Sequence, residues 1–373
     1  MSRSDAVIAT SGPALPGTAP RWRSSAGRIR GWIVLFALAL LVLLTGLASL
    51  GTGAVSLPLA RVAAIVLAGR EAVLGDPALV RDGVIVFDIR LPRTLIGLLV
   101  GATLATGGAL LQGLFRNPLA DPALVGVSSG AALAAAVTIV LGHHFVSGSG
   151  PVPFTALPIA AFVGGLGATM LLYAIATRRG RTSVATMLLA GVAISALAGA
   201  GTGLLAFMSD DRQLRDLTFW TLGSVAGSTW SKFSMVGPVL LAVLVAAPFL
   251  SRALNALVLG EAEAFHLGIA VQRSKRLLIL LVAVGVGCSV AVTGLISFVG
   301  LVVPHLIRLA VGPDHRLLLP ASALGGAVLL VASDMVARVV VAPAELPIGI
   351  VTALIGAPYF LWLLLRRNTV LDA

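Results

Sequence analysis

The chain alternates long apolar runs with short, arginine-bearing connections. A helix that crosses a bilayer needs about 20 predominantly apolar residues. Ten runs fit that length or approach it, with cores near 32–50, 91–113, 123–141, 155–176, 184–207, 233–250, 276–296, 299–311, 318–341 and 349–365. The eighth is short and contains Pro304, His305 and Arg308. Two connections are longer than simple turns. Residues 52–90 include an apolar stretch, Leu59–Leu67, suited to lying along a membrane surface. Residues 251–274, SRALNALVLGEAEAFHLGIAVQRS, are helix-prone but broken near Gly260 and Gly268. The pattern predicts two short helices there, forming a stiff knob between spans.

Basic residues set the orientation of such a chain. With the N-terminus in the cytoplasm, 17 lysines and arginines fall on the cytoplasmic side and 9 on the outer side. An even number of spans returns the C-terminus to the cytoplasm beside Arg366 and Arg367. Residues 1–30 are rich in Ser, Pro, Gly and Arg and are expected to be a disordered cytoplasmic tail. Residues 31–367 then form one ten-helix domain, and 368–373 a C-terminal tail. The first run is longer than a signal-peptide core and further spans follow, so it is read as a retained span.

Composition agrees with this pattern. Hydrophobic residues are 58% of the chain, charged residues 11%, and the mean hydropathy is +1.03. Soluble domains carry about twice that share of charge. The net charge of +11 sits in loops between apolar runs, which points to cytoplasmic membrane loops rather than nucleic acid. The 42 glycines suit close helix contacts in lipid. The single cysteine, Cys288, excludes an internal disulfide and a cysteine metal cluster. Only two lysines occur, Lys232 and Lys275, and neither follows a glycine. A P-loop needs Gly-Lys-Ser/Thr, so an ATP-driven transporter of this kind must obtain its motor from another chain. No HExxH pair is present, which argues against an intramembrane metalloprotease. A secondary transporter usually carries intramembrane acids, and here Asp334 is nearly alone. It should face protein or water, paired with Arg338 four residues on.

The stretch IRLPRTLIGLLVGATLATGGALLQGLFRNPLADPALVGVSSGAAL, residues 89–133, resembles the signature of FecCD-type permeases. The resemblance recurs at LGEAEAFHLG (259–268), GLISFVGLVVPHLIRL (294–309) and AELPIGIVTALIGAPYFLWLL (344–364). These permeases serve ATP-driven importers of iron-siderophores, haem and vitamin B12. The resemblance implies an all-α, ten-helix, type II ABC importer permease in the bacterial inner membrane. It also implies a homodimer with two cytoplasmic ATP-binding subunits and a periplasmic binding protein. No intrinsic cofactor is expected, haem being cargo and ATP belonging to the partner subunit.

The same resemblance assigns residues. Arg90, Arg93 and Arg338 match positions that dock the binding protein, which requires them at the outer aqueous rim. Asn117 and Leu119 match one cytoplasmic gate element, and Ser183, Val184 and Ala185 a second. Glu261, Ala264, Phe265 and Gly268 fall in the segment that couples to the ATPase. Its apolar residues Leu257, Val258, Leu259, Phe265 and Leu267 are expected to face the cytoplasm. The segment LADPALVGVSSG and His266 look most like the haem branch, with B12 or siderophore as alternatives. Imidazole is a natural axial ligand of haem iron, which makes His266, and the His143–His144 pair in an outer loop, candidate haem contacts. His305 is read as structural or gating, and Glu345-Leu346-Pro347 as a shared outer turn. No metal site is expected.

Overall fold

The computed structural model describes residues 25–145 and 155–371. Its helices, in chain order, are α1 (Ser25–Gly51), α2 (Leu59–Ala68), α3 (Arg70–Gly75), α4 (Val80–Val84), α5 (Leu91–Phe115), α6 (Val127–Phe145), α7 (Ala156–Ala176) and α8 (Val184–Met208). There follow α9 (Asp211–Leu222), α10 (Trp230–Ala246), α11 (Ser251–Leu259), α12 (Glu261–His266), α13 (Val271–Thr293), α14 (Val299–Val311), α15 (His315–Val339) and α16 (Ile348–Leu371). Among the described residues the only strands are β1 (Thr177–Arg178) and β2 (Arg181–Thr182), a two-residue antiparallel hairpin.

Seven helical runs are long and apolar enough to cross a membrane. The three other expected spans, near 123–141, 299–311 and 349–365, coincide with shorter apolar helices at Val127–Gly142, Val299–Val311 and Ile348–Leu363. Two runs are longer than the pattern suggested. Residues Val80–Phe115 form one helical rod, α4 passing through a π turn at Ile85–Arg90 into α5. The wide turn immediately precedes Pro92, whose ring and missing N–H are incompatible with an ordinary bond to the carbonyl four residues back. Likewise α10 continues through a 3-10 turn at Ala247–Leu250, containing Pro248, into α11.

The tails differ from expectation in the same direction. Helix α1 begins at Ser25, inside the segment assigned to a disordered tail, and α16 runs on to Leu371. The apolar stretch Leu59–Leu67 is helix α2, as its composition suggested. Helix α9 had no counterpart in the hydrophobic pattern because it is amphipathic and short. Its signal was local: Asp210 accepts from the Gln213 N–H while Gln213 bonds back to the Asp210 N–H, a capping box.

Helix α5 is the centre of the molecule and is buried along nearly its whole length. It packs against α15, α14, α13 and α10. The approach is close because glycines meet. A methyl group on Gly108 would fall inside the backbone of Gly300 on α14, and one on Gly101 inside that of Gly326 on α15. Helices α1, α7, α8 and α10 border this core and leave large apolar side chains uncovered on their other faces.

Candidate functional site

Three regions carry the sequence-predicted residues. The first joins the end of α1, the start of α5 and the end of α15. Arg93 donates from Nη2 to Asp334 Oδ1 at 2.7 Å and from Nη1 to Glu345 Oε1 at 2.8 Å. Arg338 meets the same Asp334 carboxylate at 2.9 Å, the i,i+4 pair expected from sequence. It also donates to Ser49 Oγ at 2.6 Å and to the Thr52 carbonyl at 3.0 Å. Arg90 donates to the carbonyls of Leu50, at 2.7 Å, and Val55. The docking expectation required these guanidinium groups at the aqueous rim. Instead Arg90, Arg93 and Arg338 are only 5%, 6% and 4% exposed. Each binds carboxylates or carbonyls within the chain, as burying an arginine demands. Glu345 is the member of this cluster that reaches solvent.

The second region closes α5 and opens α8. Arg116 takes a left-handed conformation (φ 50°) at the end of α5. Asn117 is exposed, and its Oδ1 accepts the Leu119 N–H at 2.9 Å, turning the chain around Pro118. Leu119 is half-buried. Asp121 then caps the 3-10 turn Pro122–Val125 through the Ala123 N–H. Burial raises the Asp121 carboxyl above its ordinary value, against the effect of that hydrogen bond. Ser183 is the N-cap of α8 and accepts from the Thr186 N–H. Ser183 and Ala185 are exposed, and Val184 is half-buried.

The third region is the knob. Helices α11 and α12 meet at Gly260, whose φ of 127° excludes most side chains, and Gly268 turns at φ 79° after α12. Phe265 is 70% exposed, and Val258, Leu259 and Leu267 are exposed beside it. Leu257, expected to face the cytoplasm, instead packs inward beside Ala264. Both are buried, on the inner face of the two short helices with Ala256 and Val271. The knob is tied down at two points. Asn255 donates to Asp314 Oδ1 at 2.7 Å and accepts from the His315 N–H at 3.0 Å, fixing α11 to the start of α15. Glu261 pairs with Lys275 of α13 at 2.6 Å. A groove of about 740 Å³ runs beside it, lined by Arg181, Glu261, Phe265, His266 and Arg273.

His266 is exposed on α12 and lines this groove beside the start of α13. His143 and His144 lie in the last turn of α6 rather than in a loop, and their side chains fall outside the described residues. The ring of His305 lies tilted against that of Tyr359 of α16, with centroids 6.1 Å apart. Among the described residues no three His, Cys, Asp or Glu side chains cluster to hold a metal.

The profile of the FecCD transport family matches residues 40–366, nearly the whole chain. The chain belongs to the FecCD transport family. Among its relatives, the hemin transport system permease protein of Yersinia pestis is 47% identical over 284 residues, 75% of this chain and 83% of the relative. The cobalamin import system permease protein of Halobacterium salinarum is 49% identical over 288 residues, 76% and 74% of the two chains. A solved structure described as a metal-chelate type ABC transporter, in an inward-facing conformation, superposes with a TM-score of 0.78 at 36% identity, covering 90% of this chain and 99% of that one. This FecCD protein is therefore a multi-pass membrane permease of a type II ABC importer and not an enzyme. ATP hydrolysis belongs to a separate subunit.

Several residues of this FecCD permease escaped the sequence reading. Glu345 was assigned only to a turn, yet it holds Arg93. Ser49, fully buried, links α1 to Thr94 of α5 and to Arg338. Lys275, Gln272 and Thr182 form a junction under the knob. The available signal was Lys275 itself, one of two lysines and placed in the first turns of an apolar helix.

Proposed function

We propose that this permease imports haem, delivered on the outer side by a soluble binding protein and driven by two cytoplasmic ATPase subunits. The observation that carries the haem reading is the extensive similarity to the hemin permease. The cobalamin permease is similar to a comparable degree, which favours a corrinoid as the second reading. In this proposal α11 and α12 are the surface that the ATPase grips, since exposed apolar side chains on a stiff element mark a contact. Asn117, Leu119, Ser183, Val184 and Ala185 close the cytoplasmic end of the pathway. Two copies of the chain assemble around that pathway, which would cover part of the apolar surface left open on α8, including Leu189, Val192 and Leu197. Both termini lie in the cytoplasm, as the distribution of arginines favours. Docking of the binding protein then falls to groups that reach the outer surface, Glu345 among them, with Arg90, Arg93 and Arg338 supporting the docking surface from beneath.

The test is uptake into vesicles holding the permease and its ATPase, offered haem, B12 and ferric-siderophore binding proteins loaded with their ligands. Haem uptake alone is the expected result. Accumulation of B12 or a siderophore without haem would overturn the cargo assignment.

A further inference from the structure

We infer that Lys275 is a positioning residue that joins the ATPase-facing knob to the first turn of α8, so that both move as one body. The inference rests on the reading of α11 and α12 as the ATPase contact. Lys275 lies near the start of α13 and is 1% exposed, among the largest fully buried side chains in the molecule. Its ammonium donates to Glu261 Oε1 at 2.6 Å, the first residue of α12, and to the Thr182 carbonyl at 2.9 Å, the last residue of β2. One turn earlier on α13, Gln272 Oε1 accepts the Thr182 N–H at 3.1 Å. Both backbone groups of Thr182 are therefore held by side chains of α13. The next residue, Ser183, is the N-cap of α8.

The chemistry makes this joint stiff. A buried ammonium has three protons to place and must be neutralised. Glu261 supplies the charge and the Thr182 carbonyl a second acceptor. Loss of Glu261 would leave the buried ammonium without its counter-charge, while the Glu261 carboxylate itself borders the groove. The Oγ1 atoms of Thr182 and Thr177, 3.0 Å apart, close the hairpin against the end of α7. Displacement of the knob is thus transmitted through one side chain to the hairpin and to Ser183–Ala185, across about eighty residues of sequence.

The experiment uses the assembled transporter in vesicles, with its ATPase and binding protein. Phe265→Ala tests the underlying reading and should weaken ATPase recruitment; unchanged recruitment would remove the basis of the inference. Lys275→Met should recruit the ATPase and permit hydrolysis, while cargo moved per ATP falls about tenfold, within the usual range of coupling between sites. Glu261→Gln, which keeps an oxygen acceptor, should show a smaller loss in the same ratio. Unchanged transport per ATP in both variants would overturn the joint. A second measurement needs no change at Lys275. Ala185 and Ala262 are both exposed, and Cys288 is buried. Spin labels at these two positions should keep one distance with and without ATP. A distance that changes with nucleotide would show that knob and gate move separately.

Discussion

Arg93 has two carboxylate partners of different value. Asp334 is buried with it, whereas Glu345 is partly solvated. Removing one member of a buried ion pair leaves an uncompensated charge and costs about 3–5 kcal/mol. An exposed pair is worth less than about 1 kcal/mol. Asp334→Ala should therefore lower the thermal midpoint of the detergent-solubilised protein strongly, and Glu345→Ala only slightly. Equal midpoints for the two variants would contradict the assigned burial. Arg93→Glu should behave like Asp334→Ala, since it sets two acids against a third. Sequence alone located the Asp334–Arg338 pair, because i,i+4 spacing on a helix is local. It could not locate Arg93 against Asp334, which are 241 residues apart, nor reveal that all three arginines turn inward. An arginine at a span boundary reads as interfacial until its partners are known.

At the scale of elements, the glycine pairs of α5 give the sharpest expectation. Gly108→Ala would place a methyl group inside the α14 backbone at Gly300, and overpacking of this kind costs about 1–3 kcal/mol or more. Gly167→Ala on α7 meets open space and should be neutral. Purification yield and thermal midpoint measured side by side would check the contrast, and a tolerated Gly108→Ala would mean that α5 and α14 sit further apart. The long apolar helices were legible in the hydrophobic pattern because span length is a demanding filter. Helix α9 was missed because its stripe is narrow and its cap, not its hydropathy, defines it. The continuous rods at α4–α5 and α10–α11 were missed for the opposite reason. The charged and polar residues of 80–90 and 251–259 end the apolar runs, yet a π turn and a 3-10 turn carry the helix on through them. In the knob, the alternation of Leu257 in and Val258 out follows from docking against Val271 and Ala264, a tertiary fact.

At the scale of the whole molecule, the sequence carries no P-loop, and the knob is the surface proposed to meet a separate ATPase. The purified chain alone should neither bind nor hydrolyse ATP, and magnesium-dependent turnover by it, free of any ATPase subunit, would contradict the sequence argument. The family and the multi-pass architecture were legible because motif blocks recur in order along the chain. Cargo was less legible, because the motif blocks are shared by permeases of haem, B12 and siderophores, and recognition in such importers rests on the binding protein. The most direct measurement is haem uptake into sealed vesicles containing the permease, its ATPase and a loaded haem-binding protein, with ATP or an ion gradient as the only energy source. The account predicts accumulation that requires ATP on the knob side and ceases without the ATPase subunit. Accumulation driven by an ion gradient, with no ATP present, would contradict it.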